Sequence, residues 1–238
     1  DVLGSRGLGD VYKRQVQEDA VTQPEEDTKG TEADPYSRED FSKMTRTEYI
    51  AAQKRLGGTM YVNIDDYTYE KDGVLGNGTA DNSDMDETKL NYYGAPGAKS
   101  GEYSDEAVGK SVVFVGGTIT SGVTGYKNID QIGTSLLLAV PAYTDVTFQG
   151  TTFNNVMRFN YQLYTSPWSQ LGELKFDDCT FNGIIVGATA AQTLTFDGCE
   201  FTDFTNTTDQ NNSNPTWIRP AYGNWSADDL SLIHISEP

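Results

Sequence analysis

Basic residues, histidine and cysteine are all scarce in this chain of 238 residues. Its 17 lysines and arginines stand against 35 aspartates and glutamates, and the formal net charge at pH 7 is -18. Nucleic-acid binding needs lysine and arginine to displace counterions, so this balance argues against a nucleic-acid partner. It argues equally against electrostatic docking on an anionic membrane. The apolar run at residues 136–140 is far too short to cross a bilayer, so we expect no membrane insertion.

What the chain does have is a repeated pattern of apolar residues between residues 145 and 203. Three segments each contain an apolar residue, a phenylalanine two positions later, and a second phenylalanine five positions after that. A fourth, weaker copy begins at Val112. The first aromatic position is occupied by Phe114, Phe148, Phe176 and Phe196, and the second by Ile119, Phe153, Phe181 and Phe201. Alternate residues of a strand face the same side, so each copy predicts two short strands with a turn between them.

A unit of this size cannot bury its apolar side alone, but stacking it on a copy does. Parallel pairing of successive copies would place like residues on like residues, about 4.8 Å apart. We therefore predict an all-β fold, a right-handed parallel β-helix in which the phenylalanines form two structural ladders. A β-sandwich is the all-β alternative. The predicted coils cover residues 59–64, 112–120, 146–155, 174–183 and 194–203.

The two cysteines, Cys179 and Cys199, occupy the same position in two adjacent copies. Stacking would separate their Cβ atoms by about 4.8 Å, whereas a disulfide needs roughly 3.5–4.5 Å. The favoured interpretation is a ladder of two small buried thiols, and a strained disulfide is the alternative. Neither predicts a metal site, because no histidine or further cysteine accompanies the pair.

A helix is predicted before the first strand, over residues 38–56. Ser37 is a suitable N-cap, Met44, Ile50 and Ala51 mark an apolar face, and glycines 57 and 58 end the helix. A helix that ends in Gly-Gly-Thr and is followed by an apolar-Tyr-Val strand resembles the start of pectin-lyase-like β-helix proteins. The resemblance covers residues 45–64 and the repeats at 112–203. It implies that the helix caps the open N-terminal end of the coil stack, whose first coil would otherwise leave an apolar end uncovered.

Outside the repeats, composition predicts three segments that do not belong to the β-helix domain, which we place at residues 37–229. Residues 16–36 are acidic and polar and predict a disordered linker. Residues 1–15 and 230–238 resemble translated sequencing-adapter read-through and are predicted to be non-native. The single histidine, His234, lies in the second of these ends. We accordingly expect the β-helix to be truncated at its C-terminal end.

The resemblance implies two kinds of enzyme, and the chain lacks the residues of both. Polysaccharide lyases of this type use a lysine or arginine base and usually Ca²⁺ held by carboxylates. Lys175 beside Asp177 is the available pair, and such pairs are more often solubilising partners. Polygalacturonases carry an Asp-Asp pair, a Gly-His-Gly and an Arg-Ile-Lys, of which the chain has only Asp177-Asp178. We assign no catalytic residue.

One acidic segment is a weak calcium candidate, and no other cofactor is expected. It offers the hard oxygen ligands that Ca²⁺ prefers, but it does not match the twelve-residue EF loop. A solvated acidic loop is the alternative. The candidate ligands are Asp81, Asp84, Asp86 and Glu87.

Two loops rich in aromatic residues, at 160–171 and 204–226, are the best predicted ligand surface. Aromatic faces suit neutral sugars and protein partners alike, and the alternative is that they fold back over the sheet. The candidate binding residues are Tyr161, Tyr164, Trp168, Trp217, Tyr222 and Trp225.

The sequence therefore predicts an exported bacterial cell-surface module, extracellular and adhesin-like, that binds glycan or surface protein without catalysis. The alternative is a carbohydrate-active enzyme, a polysaccharide lyase or glycoside hydrolase of the pectin-lyase-like type, whose catalytic coils are partly missing. An enzyme should show two carboxylates, or a carboxylate with a lysine or arginine, a few ångströms apart on one sheet face.

Overall fold

The computed structural model describes residues 27–70, 73–78, 87–92, 106–122, 135–154, 157–160, 171–182, 185–188, 191–201, 218–219 and 233–236. Within these ranges the protein is mostly β-structure, with three parallel sheets and two short helices. The predicted all-β class is therefore confirmed. Neither helix in this part of the chain is long and apolar enough to cross a membrane.

The three sheets are built from short strands, numbered in chain order. Sheet A contains β1 (Tyr36–Ser37), β2 (Thr59–Asn63), β5 (Ser111–Val115), β8 (Asp145–Gln149), β11 (Leu171–Asp177), β14 (Ala191–Asp197) and β17 (Ile233–Ser236). Sheet B contains β3 (Tyr67–Tyr69), β6 (Thr118–Ser121), β9 (Thr152–Asn154), β12 (Thr180–Asn182) and β15 (Glu200–Phe201). Sheet C contains β4 (Gly73–Leu75), β7 (Ser135–Leu138), β10 (Met157–Asn160), β13 (Ile185–Ala188) and β16 (Ile218–Arg219). From β2 onward the chain visits sheets A, B and C in a constant cyclic order.

Equivalent residues of successive repeats are direct partners in the sheets. Sheet A pairs Phe114, Phe148, Phe176 and Phe196 in turn, and sheet B pairs Ile119, Phe153, Phe181 and Phe201. Rings within a ladder stack, with centroids 5.0 to 5.5 Å apart, and the two ladders meet edge to face. These are the geometries that aromatic pairs prefer.

The buried side chains form one cluster that draws on all three sheets and both helices. Met60 and Val62 enter it from sheet A, Leu136 from sheet C. Phe41 of the first helix contacts Phe114 edge to face at 5.7 Å, so this helix lies over the first ring of the sheet A ladder.

The turn that leaves sheet A begins with a left-handed residue in four successive repeats. It places a residue with positive φ directly after the strand: Gly116 (φ 65°), Gly150 (63°), Asp178 (50°) and Gly198 (60°). Glycine adopts this conformation without steric cost and aspartate tolerates it better than most residues. The turn chemistry therefore sets where each repeat turns toward sheet B.

The predicted single helix over 38–56 is two helices, which corrects the expectation. They are α1 (Arg38–Lys43) and α2 (Arg46–Arg55). Met44 is extended (φ -62°, ψ 121°), and Thr45 begins α2 with a capping box in which its side chain accepts from the Glu48 backbone N–H. A capping box satisfies two N–H groups that a helix start leaves free, so it favours a new helix at this point. The predicted N-cap at Ser37 is present, since its hydroxyl accepts from the Asp40 backbone N–H at 3.0 Å.

The buried face of α2 also differs from the expectation. Ala51 is exposed and Ile50 half-buried, whereas Tyr49 and Gln53 are buried. Gln53 donates from Nε2 to the Tyr49 hydroxyl and to the Ser111 carbonyl, both at 3.0 Å. The helix therefore docks on sheet A through buried polar groups that an apolar periodicity does not detect.

Part of the predicted disordered linker is ordered, which is a second correction. Residues 27–36 form a turn and the start of β1, which pairs with β2. Arg55 secures them by donating to the carbonyls of Asp27 (2.5 Å) and Lys29 (2.6 Å). This contact spans more than twenty residues, so local composition could not reveal it. Residues 16–26 lie outside the described residues.

The segment at 230–238, predicted to be non-native, contributes β17, which pairs in parallel with β14. A short segment with apolar residues at alternate positions suits the edge of a parallel sheet whatever its origin. Its non-native origin therefore stays a prediction, and residues 1–15 lie outside the described ranges.

Candidate functional site

The outward face of sheet A carries a continuous set of polar side chains on β8, β11 and β14. Alternate residues of these strands point into the core, as Val146, Phe148 and Phe176 do, and the residues between them face outward. We call the outward set the outer polar grid. Its members are Asp145, Thr147, Gln149, Glu173, Lys175, Asp177, Thr193, Thr195 and Asp197.

An ion-pair bridge occupies the centre of the outer polar grid. The Lys175 ammonium lies 3.0 Å from Asp177 Oδ1 on its own strand and 3.2 Å from Asp197 Oδ2 on the next strand. Asp177 and Asp197 are register partners, so their carboxylates stand side by side around one cation. The bridge ties two neighbouring repeats together at the surface.

The surroundings of Lys175 keep it charged. Its hydrogen bond to Asp177 raises the pKa of the ammonium group, the second carboxylate, Asp197, adds to the effect, and desolvation opposes it. A lysine that acts as a general base at neutral pH needs a lowered pKa. Lys175 is therefore a poor base and a good fixed positive charge.

The other carboxylates of the outer polar grid are held by hydrogen bonds. Thr195 donates its hydroxyl to Glu173 Oε1 at 2.6 Å, and the Glu173 backbone N–H donates to Asp145 Oδ1 at 2.8 Å. Bonds between groups on different strands limit side-chain rotation. The grid therefore presents oriented polar atoms on a rigid sheet.

This arrangement meets only part of what an enzyme of the resembled type needs. A lysine and two carboxylates do lie a few ångströms apart on one sheet face. Glycoside cleavage, however, uses two carboxyl groups on opposite sides of the scissile bond, one of them as an acid. Asp177 and Asp197 instead contact the same cation and lie side by side on neighbouring strands.

The two cysteines lie in the turns that lead from sheet A to sheet B. Both thiols are free, with Cys179 buried and Cys199 half-buried. The Cys179 thiol donates to the Phe148 carbonyl at 3.3 Å, and the Cys199 thiol donates to the Phe176 carbonyl at 3.4 Å. The equivalent bonds show that the pair repeats one local geometry.

A separate depression of about 330 Å³ lies beside the two helices. Its lining consists of Tyr36, Asp40, Lys43, Met44 and Glu48. Lys43 forms an ion pair with Glu39 on the exposed surface of α1, and Glu48 belongs to the capping box of α2. The polar groups here are used in helix stabilisation.

The ligand residues predicted from sequence lie mostly outside the described residues. This holds for the aromatic set, Tyr161, Tyr164, Trp168, Trp217, Tyr222 and Trp225, and for Asp81, Asp84 and Asp86 of the calcium candidate. Glu87 is described and exposed. In the described ranges there is no group of three or more side chains that could hold a metal ion.

Sequence reasoning found Lys175 and Asp177 as neighbours on one strand but missed Asp197, Glu173 and Thr195. The sequence does contain a signal for these residues, because they occupy the outward positions that alternate with the inward apolar residues of the repeat. Aligning the copies pairs Asp177 with Asp197 directly. What the alignment does not supply is the conformation of Lys175, which reaches diagonally to both.

Comparison with protein-family models, with curated proteins and with solved structures gives no match to this chain.

Proposed function

We propose that the chain is a non-catalytic binding module of an exported bacterial cell-surface protein, built as a right-handed parallel β-helix of the pectin-lyase-like type. The constant cyclic order of sheets A, B and C supports this fold, as does the parallel pairing of neighbouring strands in the described part. Right-handedness follows from the strong preference of parallel crossover connections for that hand. Each sheet is then one long face of the β-helix.

The observation that carries the proposed function is the outer polar grid. Its hydroxyl, amide and carboxylate groups stand in rows on a rigid sheet, with rows about 4.8 Å apart across strands. Binding to such a preorganised surface costs little ordering entropy in the protein. An extended partner that lies along the stack of strands would meet a similar set of polar groups in each repeat.

The charge of the outer polar grid selects among partners. It carries four carboxylates, on Asp145, Glu173, Asp177 and Asp197, against the single ammonium of Lys175. A strongly anionic polysaccharide would be repelled by this face and by the whole chain, whose net charge is -18. We propose a neutral glycan as the partner, bound through its hydroxyl groups.

A glycan array with the purified chain tests this proposal, followed by titration calorimetry of each glycan that binds. The grid variant is Thr195→Val, which removes the hydroxyl that orients Glu173. The matched control is Thr180→Val in sheet B, a half-buried threonine outside the grid. Loss of one hydrogen bond, worth about 0.5–1.5 kcal/mol, should weaken binding by about two- to tenfold. The control should bind as the parent does.

Two results would refute the proposal. Equal glycan affinity of both variants and the parent would show that the outer polar grid is not the binding site. Release of reducing ends from any polysaccharide would show catalysis and favour the second candidate, a carbohydrate-active enzyme of the pectin-lyase-like type. The observation that favours this second candidate is the presence of Lys175 and two carboxylates a few ångströms apart on one sheet face. Surface location is tested separately, by examining the complete gene for an export signal and a surface anchor.

A further inference from the structure

The cysteine pair lies at a junction between two repeats where the register is regular on both sides. Before the turn Asp177 pairs with Asp197, and after it Thr180 pairs with Glu200. The Glu200 backbone N–H donates to the Cys179 carbonyl at 2.8 Å, which continues the pairing through the turn. Cys179 and Cys199 therefore lie side by side.

The backbone holds the Cα atoms of the two cysteines at a spacing that a disulfide accepts. Paired parallel strands lie about 4.8 Å apart, which is inside the range of about 4.4–6.8 Å between Cα atoms of bridged cysteines. Asp178 and Gly198, the preceding residues, have nearly equal φ values of 50° and 60°. The two side chains consequently leave similar turns, and closing the disulfide requires their Cβ atoms to approach to within about 4.5 Å.

The two thiols differ in access and in acidity. Cys179 is 1% exposed, whereas Cys199 is half-buried. The neighbouring Cys179 thiol lowers the pKa of Cys199 to about 7, against the desolvation that raises it. The neighbouring Cys199, together with burial, raises the pKa of Cys179. Since the thiolate is the nucleophile in thiol chemistry, Cys199 is the more reactive of the pair.

We propose that Cys179 and Cys199 form a thiol–disulfide exchange site whose product is a disulfide that links two neighbouring repeats. The oxidant is a small dialkyl disulfide. The Cys199 thiolate attacks one of its sulfur atoms, forms a mixed disulfide and releases one thiolate. Cys179 then loses its proton and attacks the Cys199 sulfur of the mixed disulfide, which releases the second thiolate. Both cysteine sulfurs are oxidised, and the small disulfide is reduced to two thiols.

The role of each cysteine follows from its surroundings. Cys199 must meet the oxidant, and it is the thiol with access to solvent. Cys179 acts second, because it is buried away from a dissolved oxidant but lies beside the mixed disulfide that forms on Cys199. This chemistry uses the two thiols and none of the side chains of the outer polar grid, so it goes beyond the proposed binding function.

The experiment treats the folded full chain with oxidised glutathione at pH 7.5. Free thiols are counted before and after unfolding, and peptides are mapped by mass spectrometry. We expect the thiol count to fall from two to zero and one peptide pair to link residues 179 and 199. The intact mass should fall only by the two hydrogen atoms that the disulfide loses, with no glutathione bound. Retention of both thiols, a stable glutathione adduct, or a linkage between two chains would each overturn the proposal.

Alkylation by iodoacetamide tests the unequal roles. At pH 7, a thiol with a pKa near 7 is about half thiolate, against a few per cent for an ordinary cysteine with a pKa of about 8.5. We therefore expect Cys199 to react about three- to fourfold faster in the parent than in Cys179→Ala, after allowing for the lower nucleophilicity of an acidic thiol. The Cys199→Ala variant should leave Cys179 unreactive until the chain unfolds. Equal rates in the parent and in Cys179→Ala, with circular dichroism showing that both are folded, would refute the assigned roles.

Discussion

Replacing Phe176 by alanine should be among the most destabilising single substitutions in this chain. Phe176 is completely buried and lies in the middle of the sheet A ladder. Its ring stacks on Phe148 at 5.5 Å and on Phe196 at 5.0 Å. Three further rings, those of Phe153, Phe159 and Phe181, contact it at 5.2 to 5.6 Å.

The expected cost combines the lost transfer energy with the cavity that the ring leaves. Burying a phenylalanine side chain stabilises a protein by roughly 1.5–3 kcal/mol, and phenylalanine-to-alanine changes in cores cost about 3–5 kcal/mol in total. Neighbouring rings are themselves held by other rings, so the cavity around residue 176 should not collapse. We therefore expect the unfolding free energy to fall by an amount near the upper end, about 4–5 kcal/mol. This is a large part of the roughly 5–15 kcal/mol of unfolding free energy that is typical of a folded domain.

Phe201 offers a matched control in the same ladder system. It is half-buried and contacts only two rings in the described part of the chain, Phe181 at 5.0 Å and Phe196 at 5.6 Å. The Phe201→Ala variant should lose about 1–2 kcal/mol, because solvent already reaches the ring and fills the space it leaves.

Urea unfolding followed by circular dichroism measures both variants, with the free energy taken from linear extrapolation. Fluorescence should be recorded as a second probe, because stacked repeats can unfold in stages and only coincident transitions justify a two-state free energy. A loss below about 2 kcal/mol for Phe176→Ala, or a loss equal to that of Phe201→Ala, would contradict the packing described above.

Three further predictions use the turns, the ion-pair bridge and the helix start. In Gly117→Ala a Cβ would lie 1.6 Å from the Ile64 backbone oxygen of the previous repeat. In Gly116→Ala the φ is similar, but the nearest atom, Asn63 Oδ1, is 4.0 Å away. Urea unfolding should therefore show a clearly larger loss of unfolding free energy for Gly117→Ala. The raised pKa of Lys175 adds stability at pH values below the ordinary lysine pKa, and this stability is lost as the pH rises through the raised value. Between pH 9 and 12, roughly the range around the pKa of an unperturbed lysine, the unfolding free energy of the parent should therefore fall more than that of Lys175→Met. Parallel plots of unfolding free energy against pH for the two proteins would exclude the effect. Finally, Thr45→Ala should cost about 1 kcal/mol of unfolding free energy by removing the capping box, and a thermal melt unchanged from the parent would contradict that.

The strand pairing was predictable because its cause is local. A fixed spacing of apolar residues, repeated several times, specifies which residues face inward and which copies resemble one another. Once Phe148, Phe176 and Phe196 are aligned, parallel pairing makes every other residue of the strands a partner of its equivalent. The turns were predictable for the same reason, because turn residues such as Gly198 interrupt the apolar alternation.

The helical region was only partly predictable, because competing local signals operate there. Apolar periodicity predicts one helix, whereas the Thr45–Glu48 capping box starts a second one. The buried Gln53 carries no apolar signal at all, and its position depends on the Ser111 carbonyl 58 residues later. Local patterns cannot report a partner at that distance.

The candidate site was the least predictable part, because it depends on side-chain reach between strands. The sequence places Lys175 next to Asp177, and such a pair is ordinary. The structure adds Asp197 from the following repeat, which turns the pair into a bridge and keeps Lys175 charged. The two cysteines behave similarly, since their equivalence is visible in the repeat but their difference in burial is not.

The sequence by itself determined the β class, the inward residues of each repeat and the equivalence of Phe176 with Phe196 and of Cys179 with Cys199. These follow from periodicity, which is a property of neighbouring residues along the chain. Only the tertiary structure decided that Arg55 orders residues 27–36, that Lys175 bridges two aspartates and that one thiol is exposed more than the other. Each of these depends on contacts between distant residues, and such contacts exist only once the repeats are stacked.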